Sequence, residues 1–407
     1  MCGICGFTGY RQDQKTVIER MMKAIEHRGP DSEGSFCREK ITLGFRRLSI
    51  IDLEDGQQPM ESTDGNLHIV FNGEIYNYKE LRAELEAFGI SFCTHSDTEV
   101  LINTIQQYGE KALDKLRGMF GFAVWNEKEQ TLMLARDFFG IKPVYYAEID
   151  GHFVFASEIK SILAFPGYER KVNQKALEQY LSFQYAPLEE TFFKGIYKLM
   201  PGHMLLYKNG NYEIKTYFKT KLTPDKWNRK TNMDQLRSQL AEILKDSVKH
   251  HMLSDVEVGA FLSGGVDSGY LASASGADQA FTVGFDEGDR YSEVNKAAKV
   301  AEKAGLKHHV KIISKQEFWD ALPDVMYHMD EPLADASAVA LYFLSKEAAG
   351  HVKVVLSGEG ADELFGGYNI YREPESLKKI DWIPFGVRRV IGKLAAKLPD
   401  VKGRDFL

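Results

Sequence analysis

The stretch VGAFLSGGVDS, residues 258–268, joins an apolar run to the start of a helix. Val256–Leu262 predicts a strand, and Ser268–Ser275 predicts a helix. The two glycines between them permit a tight turn that brings bare N–H groups close to an anion, and the helix N-terminus adds its partial positive charge. The carboxylate of Asp267 would repel a phosphate group, so we expect it to hold a bridging Mg²⁺ instead. The pattern therefore predicts a phosphate-binding loop.

Strands and helices alternate from this loop towards the C-terminus, after an amphipathic helix that contains Leu236, Leu240, Leu244 and Val248. Further strands are predicted at Ala280–Phe285, His309–Ile313 and Val352–Leu356, and further helices at Glu293–Ala304, Glu317–His328 and Ala338–Ala349. Such alternation is typical of an α/β domain with a parallel sheet and helices on both faces. The last stretch, 380–407, is basic and partly helical.

A second glycine-rich segment, Ser357–Glu363, follows the strand Val352–Leu356 and is rich in acidic residues. In an open parallel sheet, ligands bind outside the carboxyl ends of the strands, so both glycine loops should face one crevice. We expect Asp267 and Asp362 to share the metal ion and Glu359 to act on the substrate.

The first half of the chain has a different pattern, in which short strands outnumber amphipathic helices. Strands are predicted at Ile4–Gly9, Ile41–Ile50, His68–Asn72, Phe120–Trp125, Leu132–Arg136 and His152–Ala156. Asp150-Gly151 is a hairpin signal between two of these runs. The pattern favours an antiparallel α+β domain. The polar, turn-rich stretch 200–232 leads us to predict a first domain over 2–205, a linker over 206–232 and a second domain over 233–407.

The composition excludes several classes of protein. With 407 residues, 44% of them hydrophobic, and a net charge of −7, the chain lacks the basic excess of a protein that binds nucleic acid or a membrane surface. No apolar run approaches the roughly 20 residues that span a bilayer, and the N-terminus does not resemble a secretory signal. Cys2 and Cys5 form a C-x-x-C pair without a second such pair, so no zinc site is expected. We interpret the compartment as the reducing cytoplasm, and the paired histidines His250-His251 and His308-His309 as surface residues.

Cys2 follows the initiator Met1, and removal of Met1 would give a residue that carries both a thiol and a free α-amine. An α-amine has a pKa near ~8, which suits it to accept the thiol proton close to neutral pH. The alternative is that Cys2 is simply an early buried cysteine. Asn72-Gly73-Glu74 closes a strand, where a side-chain amide and a bare backbone N–H would form an oxyanion hole. Arg47 offers a fork for a carboxylate, and Asp97 and Glu74 offer charges for an ammonium group.

The chain resembles two known motif sets in the right order. Residues 263–268 resemble the pyrophosphate loop of the N-type ATP pyrophosphatases. The glutaminase domain of class II amidotransferases is matched by Cys2-Gly3-Ile4, Arg28–Asp31, Arg47–Ile50, Asn72–Asn77, Ser96–Glu99 and Arg136–Pro143. Together the two sets resemble the glutamine-hydrolysing asparagine synthetases, from Cys2 to about Tyr371. Phosphoribosyl and sugar-phosphate amidotransferases lack the Ser-Gly-Gly-x-Asp-Ser loop, and β-lactam-type synthetases would not need an intact Cys2 constellation.

The resemblance implies a four-layer (αββα) N-terminal-nucleophile domain followed by an α/β ATP-pyrophosphatase-like domain. Cys2 would attack the glutamine side-chain amide, and Asn72 and Gly73 would hold the oxyanion. The glutamine-binding residues it implies are Arg47, Leu48, Ser49, Ile50, Ile51, Asn72, Gly73, Glu74 and Asp97. The ATP-binding residues it implies are Phe261, Leu262, Ser263, Gly264, Gly265, Asp267, Ser268, Val283, Ser357 and Gly358, with Asp267 and Asp362 on Mg²⁺ and Glu359 important for forming the acyl-adenylate.

The expected reaction joins two half-reactions. Ammonia released from glutamine would pass through an internal tunnel and displace AMP from β-aspartyl-AMP, which forms from aspartate and Mg-ATP with release of pyrophosphate. Members of the family continue with a helical segment that supplies a lysine over the phosphates, so we expect a chain truncated at its C-terminus. The alternative is a chain that retains only glutaminase activity or acts as a non-catalytic fragment. The acidic turn Asp330–Asp335 receives no role, and the choice between monomer and homodimer stays open.

Overall fold

Two antiparallel sheets of six strands each are stacked in the first half of the computed structural model, which describes residues 1–221, 232–286, 292–372, 378 and 382–395. In spatial order, the first sheet contains β10 (Ile196–Lys198), β8 (Tyr145–Ile149), β9 (His152–Ala156), β1 (Gly3–Thr8), β3 (Ile41–Arg47) and β2 (Ser32–Cys37). The second contains β12 (Asn211–Thr216), β11 (His203–Lys208), β7 (Thr131–Arg136), β6 (Gly118–Asn126), β5 (Leu67–Ile75) and β4 (Met60–Glu61).

Helices cover the outer face of each sheet. Ile4 on β1 packs between the two sheets, whereas its neighbour Cys5 faces the helices, because successive strand residues point to opposite faces. The helices are α1 (Gln14–Ala24) and α4 (Ile159–Leu163) on the first sheet, and α2 (Tyr78–Ala87) and α3 (Asp97–Tyr108) on the second; α5 (Gln174–Phe183) follows near the surface. β1 is buried along its whole length, and only its last residue, Thr8, has a polar side chain. This arrangement confirms the predicted four-layer αββα domain.

Two β-hairpins of the first domain bear on the turns and the domain boundary that were predicted from the sequence. Asp150-Gly151 does join β8 to β9, with both residues at positive φ as a two-residue hairpin loop requires. The boundary predicted after residue 205 is wrong, because it falls inside β11. The hairpin of β11 and β12 turns at Asn209-Gly210 and pairs with β7, so residues 206–216 belong to the first domain and not to a linker. β12 lies at the sheet edge, and nearly all of its residues are exposed, so neither face of the strand is buried.

The second half contains a four-stranded parallel sheet, as predicted. Its spatial order is β15 (Lys307–Ile313), β14 (Gln279–Phe285), β13 (Val258–Phe261) and β16 (Val354–Leu356). The helices are α6 (Met233–His251), α7 (Val266–Ser275), α8 (Val294–Ala304), α9 (Lys315–Asp320), α10 (Leu322–Met329), α11 (Ser337–Ala349), α12 (Ala361–Phe365) and α13 (Phe385–Ala395). α7 and α8 pack on one face of the sheet and α11 packs on the other.

One predicted helix of this half is divided in the structure. Glu317–His328 was expected to form a single helix, but α9 ends at Asp320 and α10 begins at Leu322. Pro323 lies in the first turn of α10, where its missing N–H is not needed, and it cannot continue the preceding helix. Half of the stretch 380–407, which was predicted to be partly helical, lies outside the described residues, and the described half contains α13.

Candidate active site

A cavity of about 320 Å³ opens where β1, β3 and β5 meet the second domain. Nine of the ten residues expected to hold or attack glutamine line it: Cys2, Arg47, Leu48, Ile50, Ile51, Asn72, Gly73, Glu74 and Asp97. The exception is Ser49, whose backbone N–H donates to Asp31 Oδ2 at 2.9 Å. These nine residues come from four separate segments of the chain and line one pocket.

Cys2 immediately precedes β1, and backbone groups hold its thiol in place. The Leu48 N–H donates to Cys2 Sγ at 3.4 Å, and Sγ lies 3.6 Å from the Leu48 carbonyl oxygen. The Cys2 carbonyl accepts a hydrogen bond from Arg28 Nε at 2.9 Å. Burial raises the pKa of the Cys2 thiol above its ordinary value, against the opposing effects of the Leu48 backbone and the nearby α-amine. The thiol therefore needs a base beside it in order to react.

The α-amine at the start of the chain is a candidate for this base. Met1 lines the same cavity, and burial lowers the pKa of its α-amine to about 5. An amine with that pKa is uncharged at neutral pH and can accept a proton. An α-amine in this pocket is therefore a candidate base for the Cys2 thiol.

Asn72 and Gly73 lie near the C-terminal end of β5 and line the same cavity as Cys2. The Asn72 side chain is 1% exposed, and its Nδ2 has no hydrogen-bond partner among the described residues. Buried polar groups are almost always paired, so an unpaired amide N–H aimed at a cavity indicates a ligand atom that it receives. A Cβ at Gly73 would lie 2.1 Å from the Met119 carbonyl oxygen, so glycine is required for this close approach.

Two carboxylates, those of Glu74 and Asp97, also line the pocket. Ser96 caps α3 by accepting the Thr98 N–H at 3.1 Å, and this places Asp97 in the first turn, where its Oδ2 accepts the Ile75 N–H at 3.0 Å. Burial raises the pKa of Asp97 to about 6. Burial, with the nearby charge of Asp97, raises the pKa of Glu74 to about 7. The pair can attract a cation such as an ammonium group.

Lys142 is a pocket residue to which the sequence reasoning assigned no role. It lines the cavity, is 4% exposed, and burial lowers its pKa to about 8, against the opposing charge of Glu74. The one signal for it in the sequence was its position within the motif Arg136–Pro143. Lys142 offsets the negative charge that Glu74 and Asp97 bring into the pocket.

Arg47 reaches the cavity, but its guanidinium is already engaged. It donates to the carbonyl oxygens of Leu53 at 3.3 Å and Ile51 at 3.4 Å, and also to that of Asp52. These bonds shape the loop that follows β3. Recognition of a carboxylate by Arg47 would require it to exchange one of these carbonyl partners.

A second cavity of about 610 Å³ lies at the carboxyl ends of β13, β14 and β16. It is lined by Phe261, Leu262, Ser263, Gly265, Asp267, Ser268, Val283, Ser357, Gly358, Glu359 and Asp362. Of the expected ATP-binding residues, Gly264 alone is not part of this lining. Its φ is +78°, and a Cβ there would lie 2.7 Å from the Lys296 Cβ, so Gly264 packs the loop against α8. Lys296 itself lines the cavity and adds a cation that sequence reasoning missed.

Hydrogen bonds within the first glycine loop hold it open towards the cavity. The hydroxyl oxygens of Ser263 and Ser268 are 2.9 Å apart, and the Gly265 N–H donates to Ser263 Oγ at 3.3 Å. The second glycine loop touches the first, since a Cβ at Gly358 would lie 3.3 Å from the Ser268 backbone nitrogen. The two loops therefore face one crevice.

The donor chemistry of this crevice fits a hard divalent cation. Asp267 lies in the first turn of α7 and Asp362 in the first turn of α12, and both line the same cavity as the Ser263 hydroxyl. Mg²⁺ prefers one or two carboxylates together with phosphate oxygens and water. The residues present are therefore suited to a Mg²⁺ that arrives with a nucleotide.

β16 connects the two cavities. Lys353, Val354 and Val355 line the first cavity, and Ser357–Asp362 follow directly and contribute to the second. Lys353 Nζ also forms an ion pair of 2.7 Å with Asp31 of the first domain. One short strand of the second domain thus closes the first pocket and leads into the second.

The acidic turn at Asp330-Glu331, which had no assigned role, joins the two domains. Asp330 Oδ2 accepts the Ile159 N–H at 2.7 Å, and Asp330 Oδ1 pairs with Lys160 Nζ at 3.0 Å. Glu331 Oε1 accepts the Phe192 N–H at 2.8 Å. These carboxylates hold α10 and the turn after it against the αββα domain.

Comparisons with known proteins agree with this division. The family described as glutamine amidotransferase domain matches residues 1–218, and the family described as asparagine synthase matches residues 239–404. Asparagine synthetase [glutamine-hydrolyzing] 1 of Bacillus subtilis is 46% identical over 99% of this chain and 65% of its own length. The putative asparagine synthetase [glutamine-hydrolyzing] 2 of Methanocaldococcus jannaschii is 34% identical over 98% of this chain and 81% of its own length.

A solved structure of the glutamine phosphoribosylpyrophosphate amidotransferase of B. subtilis has a TM-score of 0.42 at 17% identity, over 76% of this chain and 65% of that one. That likeness is too distant to bear on the activity. Within the described residues, no helix has the length and apolar character that a membrane crossing requires.

Fold and site together define a class: an N-terminal-nucleophile glutamine amidotransferase domain joined to a parallel-sheet domain with two glycine loops. The match to the Methanocaldococcus jannaschii relative, which covers 81% of that protein, identifies the family within this class. The chain belongs to the family of glutamine-hydrolysing asparagine synthetases. It spans 65% of the length of the Bacillus relative.

Proposed function

We propose that this chain releases ammonia from glutamine in its first cavity and uses it in ATP-dependent synthesis of asparagine at its second. The observation that carries the proposal is the unpaired Asn72 amide, which shares a cavity with the Cys2 thiol. A nucleophile and an unsatisfied hydrogen-bond donor in one pocket are two components that acyl transfer needs.

In the first half-reaction, the α-amine of Cys2, freed by removal of Met1, accepts the thiol proton, and the sulfur attacks the side-chain carbonyl carbon of glutamine. The Asn72 amide and the Gly73 N–H receive the oxyanion. Collapse of the tetrahedral intermediate breaks the C–N bond, and the proton held by the amine leaves with ammonia. Water then hydrolyses the glutamyl thioester to glutamate and regenerates the thiol.

The remaining pocket residues orient the substrate. Glu74 and Asp97 hold the α-ammonium of glutamine, and Arg47 takes its α-carboxylate in exchange for a carbonyl of the loop that it now supports. The backbone from Leu48 to Ile51 forms the side wall. Ser49 contributes through this backbone, since its N–H is tied to Asp31.

In the second half-reaction, Ser263, Gly265, Ser268, Ser357 and Gly358 bind the phosphates of ATP, and Gly264 sets the turn. Phe261, Leu262 and Val283 enclose the adenine. Asp267 and Asp362 would hold Mg²⁺, which supplies positive charge to the phosphate oxygens when bound. Glu359 assists transfer of the adenylyl group to the β-carboxylate of aspartate, with pyrophosphate as the leaving group.

Ammonia passes between the cavities beside β16, whose apolar residues Val354 and Val355 wall the first pocket. The four cysteines are free, and Cys5 is fully buried, as suits a protein of the reducing cytoplasm.

The glutaminase half is tested by glutamate formation from glutamine with protein from which Met1 has been removed, as verified by intact mass. Cys2→Ala should abolish glutamate formation, and Asn72→Ala should lower kcat by about 10²–10³-fold, as loss of one oxyanion donor does. Asn211→Ala, on the exposed hairpin, is the matched control and should leave kcat unchanged. Full activity of Asn72→Ala would refute the proposed oxyanion role.

The synthetase half is tested by aspartate-dependent exchange of pyrophosphate into ATP. Asp267→Asn should abolish exchange, whereas Asp278→Asn, at an exposed position outside both cavities, should not. Glutamate formation without any exchange by the unmodified chain would favour a chain that is only a glutaminase.

A further inference from the structure

His309, Glu347 and His351 form a cluster on the face of the parallel sheet where α11 packs against β14 and β15. Their metal-binding atoms all lie within 4.8 Å of one another. In the part of the chain that the structure describes, no other group of three or more His, Cys, Asp or Glu side chains is this close. The cluster lies outside both proposed catalytic cavities.

Secondary structure brings these three side chains together. Glu347 lies in the last turn of α11, and His351 follows two residues after the helix ends, with His351 Nε2 3.6 Å from Glu347 Oε1. His309 reaches them from the edge strand β15, and its ring centroid lies 4.0 Å from that of His351. The preceding His308 faces the other way and bonds to Thr282 Oγ1 at 2.7 Å, as strand alternation requires.

A chain of hydrogen bonds orients His309 for ligation. Gln279 Nε2 donates to Glu257 Oε1 at 2.6 Å, so the Gln279 amide oxygen is directed to the other side, where it meets His309 Nε2 at 2.9 Å. That oxygen can only accept, so Nε2 of His309 carries the proton and Nδ1 keeps its lone pair. Histidines that bind metal ions usually have their other nitrogen held in this way. The Phe281 ring, stacked 5.0 Å from His309, fixes the plane of the imidazole.

The charges at the cluster favour a bound cation. His309 and His351 bring imidazole nitrogens, which bind metal ions in their neutral form. Glu347 adds a carboxylate, while Lys307 is the nearby charge that opposes a cation. Two imidazoles and one carboxylate, with water in the fourth position, are a common ligand set for tetrahedral zinc.

We propose that His309, Glu347 and His351 bind a divalent ion of the zinc class, which clamps α11 to the edge strand β15. The ligand atoms of one tetrahedral zinc ion lie about 3.3 Å apart at normal bond lengths. The atoms here lie within 4.8 Å of one another, so rotation of the partly exposed Glu347 and His351 side chains would bring them to that separation. The opposite half of α11 contributes Ala340, Leu341 and Leu344 to the second cavity. A bound ion would therefore stiffen one wall of the proposed nucleotide site.

The proposal is tested by titrating zinc chloride into the chelator-treated protein and following the heat of binding, in a Cys93→Ser background that removes an exposed thiol. We expect one ion per chain and a higher unfolding temperature with zinc than with chelator. Glu347→Gln and His351→Ala should each weaken binding at least tenfold, and Gln279→Ala should weaken it about 10–100-fold through the loss of the orienting bond. His250→Ala, which removes a histidine on α6, should bind zinc as the parent does.

Loss of zinc binding can be distinguished from loss of folding, because the unfolding temperature of each variant in chelator shows whether it is folded. Equal zinc affinity in the parent and in His351→Ala would overturn the proposal, as would the absence of saturable binding by the folded parent. Weakening by Gln279→Ala without weakening by His250→Ala supports the orienting role, which a merely structural glutamine would not have.

Discussion

Replacement of Lys160 by methionine removes one charge from a buried ion network that crosses the domain boundary. Lys160 Nζ lies between Glu158 of its own domain and Asp330 of the other, and the three side chains are only 8–10% exposed. Methionine keeps most of the apolar stem, so the change isolates the charge. In the variant, Asp330 retains the Ile159 N–H, and Glu158 retains Arg28 at 2.8 Å.

Breaking a buried ion pair by removing one partner costs about 3–5 kcal/mol, because the other charge is left buried without compensation. Glu158 has a second partner, so we expect a loss near the lower end, about 3 kcal/mol in the free energy of unfolding, or about 150-fold in the unfolding equilibrium constant. Lys171→Met is the control, since Lys171 and its partner Glu169 are 57% and 73% exposed, and such pairs contribute little.

The loss of stability caused by Lys160→Met should depend on pH. Burial raises the pKa of Asp330 even with Lys160 present, and removal of that charge raises it further. A carboxyl group whose pKa is higher in the folded than in the unfolded state makes no unfavourable contribution below its unfolded-state pKa. The contribution grows as pH rises from the unfolded-state pKa to the folded-state pKa and is constant above it. The difference in free energy of unfolding between parent and variant should therefore be largest at neutral pH and should shrink on acidification.

Urea unfolding of both variants and the parent, followed by circular dichroism at several pH values, measures these differences. A loss of less than about 1 kcal/mol for Lys160→Met, in the range of an exposed pair, would refute the reasoning. So would an equal loss for Lys171→Met, or a deficit that grows on acidification.

Three further predictions concern the first cavity. Because the pKa of Glu74 is raised to about 7, its carboxylate is protonated as pH falls below 7, and we expect KM for glutamine to rise. Glu74→Gln should have a high KM that no longer varies over this range. A KM that does not vary with pH in the parent would contradict the ammonium-binding role of Glu74. Gly73→Ala should abolish glutamate formation and lower the unfolding temperature, because its Cβ would lie 2.1 Å from the Met119 carbonyl oxygen; an active, equally stable variant would disprove the close approach. Lys353→Met removes the 2.7 Å ion pair with Asp31, so it should raise KM for glutamine and leave asparagine synthesis from added ammonia unchanged. An unaltered KM would show that this ion pair does not shape the pocket.

Much of the local structure could be read from neighbouring residues. The loop at 263–268 follows a strand and begins a helix as expected, because glycine, serine and an apolar run specify their conformations within a few residues. The Asp150-Gly151 hairpin was equally visible, since both positions need positive φ. The hairpin turning at Asn209-Gly210 was not, because its exposed outer strand is defined only by pairing with β11.

The pocket residues were also largely predictable, because their chemistry is carried by motifs that the chain shares with a known family. Their mutual arrangement was not. The motif predicted a free fork at Arg47, whereas the folded loop occupies it with carbonyl oxygens. Likewise the acidic turn at Asp330 had no evident purpose until the structure placed Lys160 beside it.

The order of residues along this chain specifies turns, amphipathic faces and the kinds of groups available for catalysis, since these depend on interactions over a few positions. It does not specify which groups meet. Cys2 is held by Leu48, Lys160 by Asp330, and His309 faces His351, in each case across a long stretch of sequence. Such contacts form only when packing of the hydrophobic layers brings distant segments together, and the buried environment that results also sets the protonation of the groups within it.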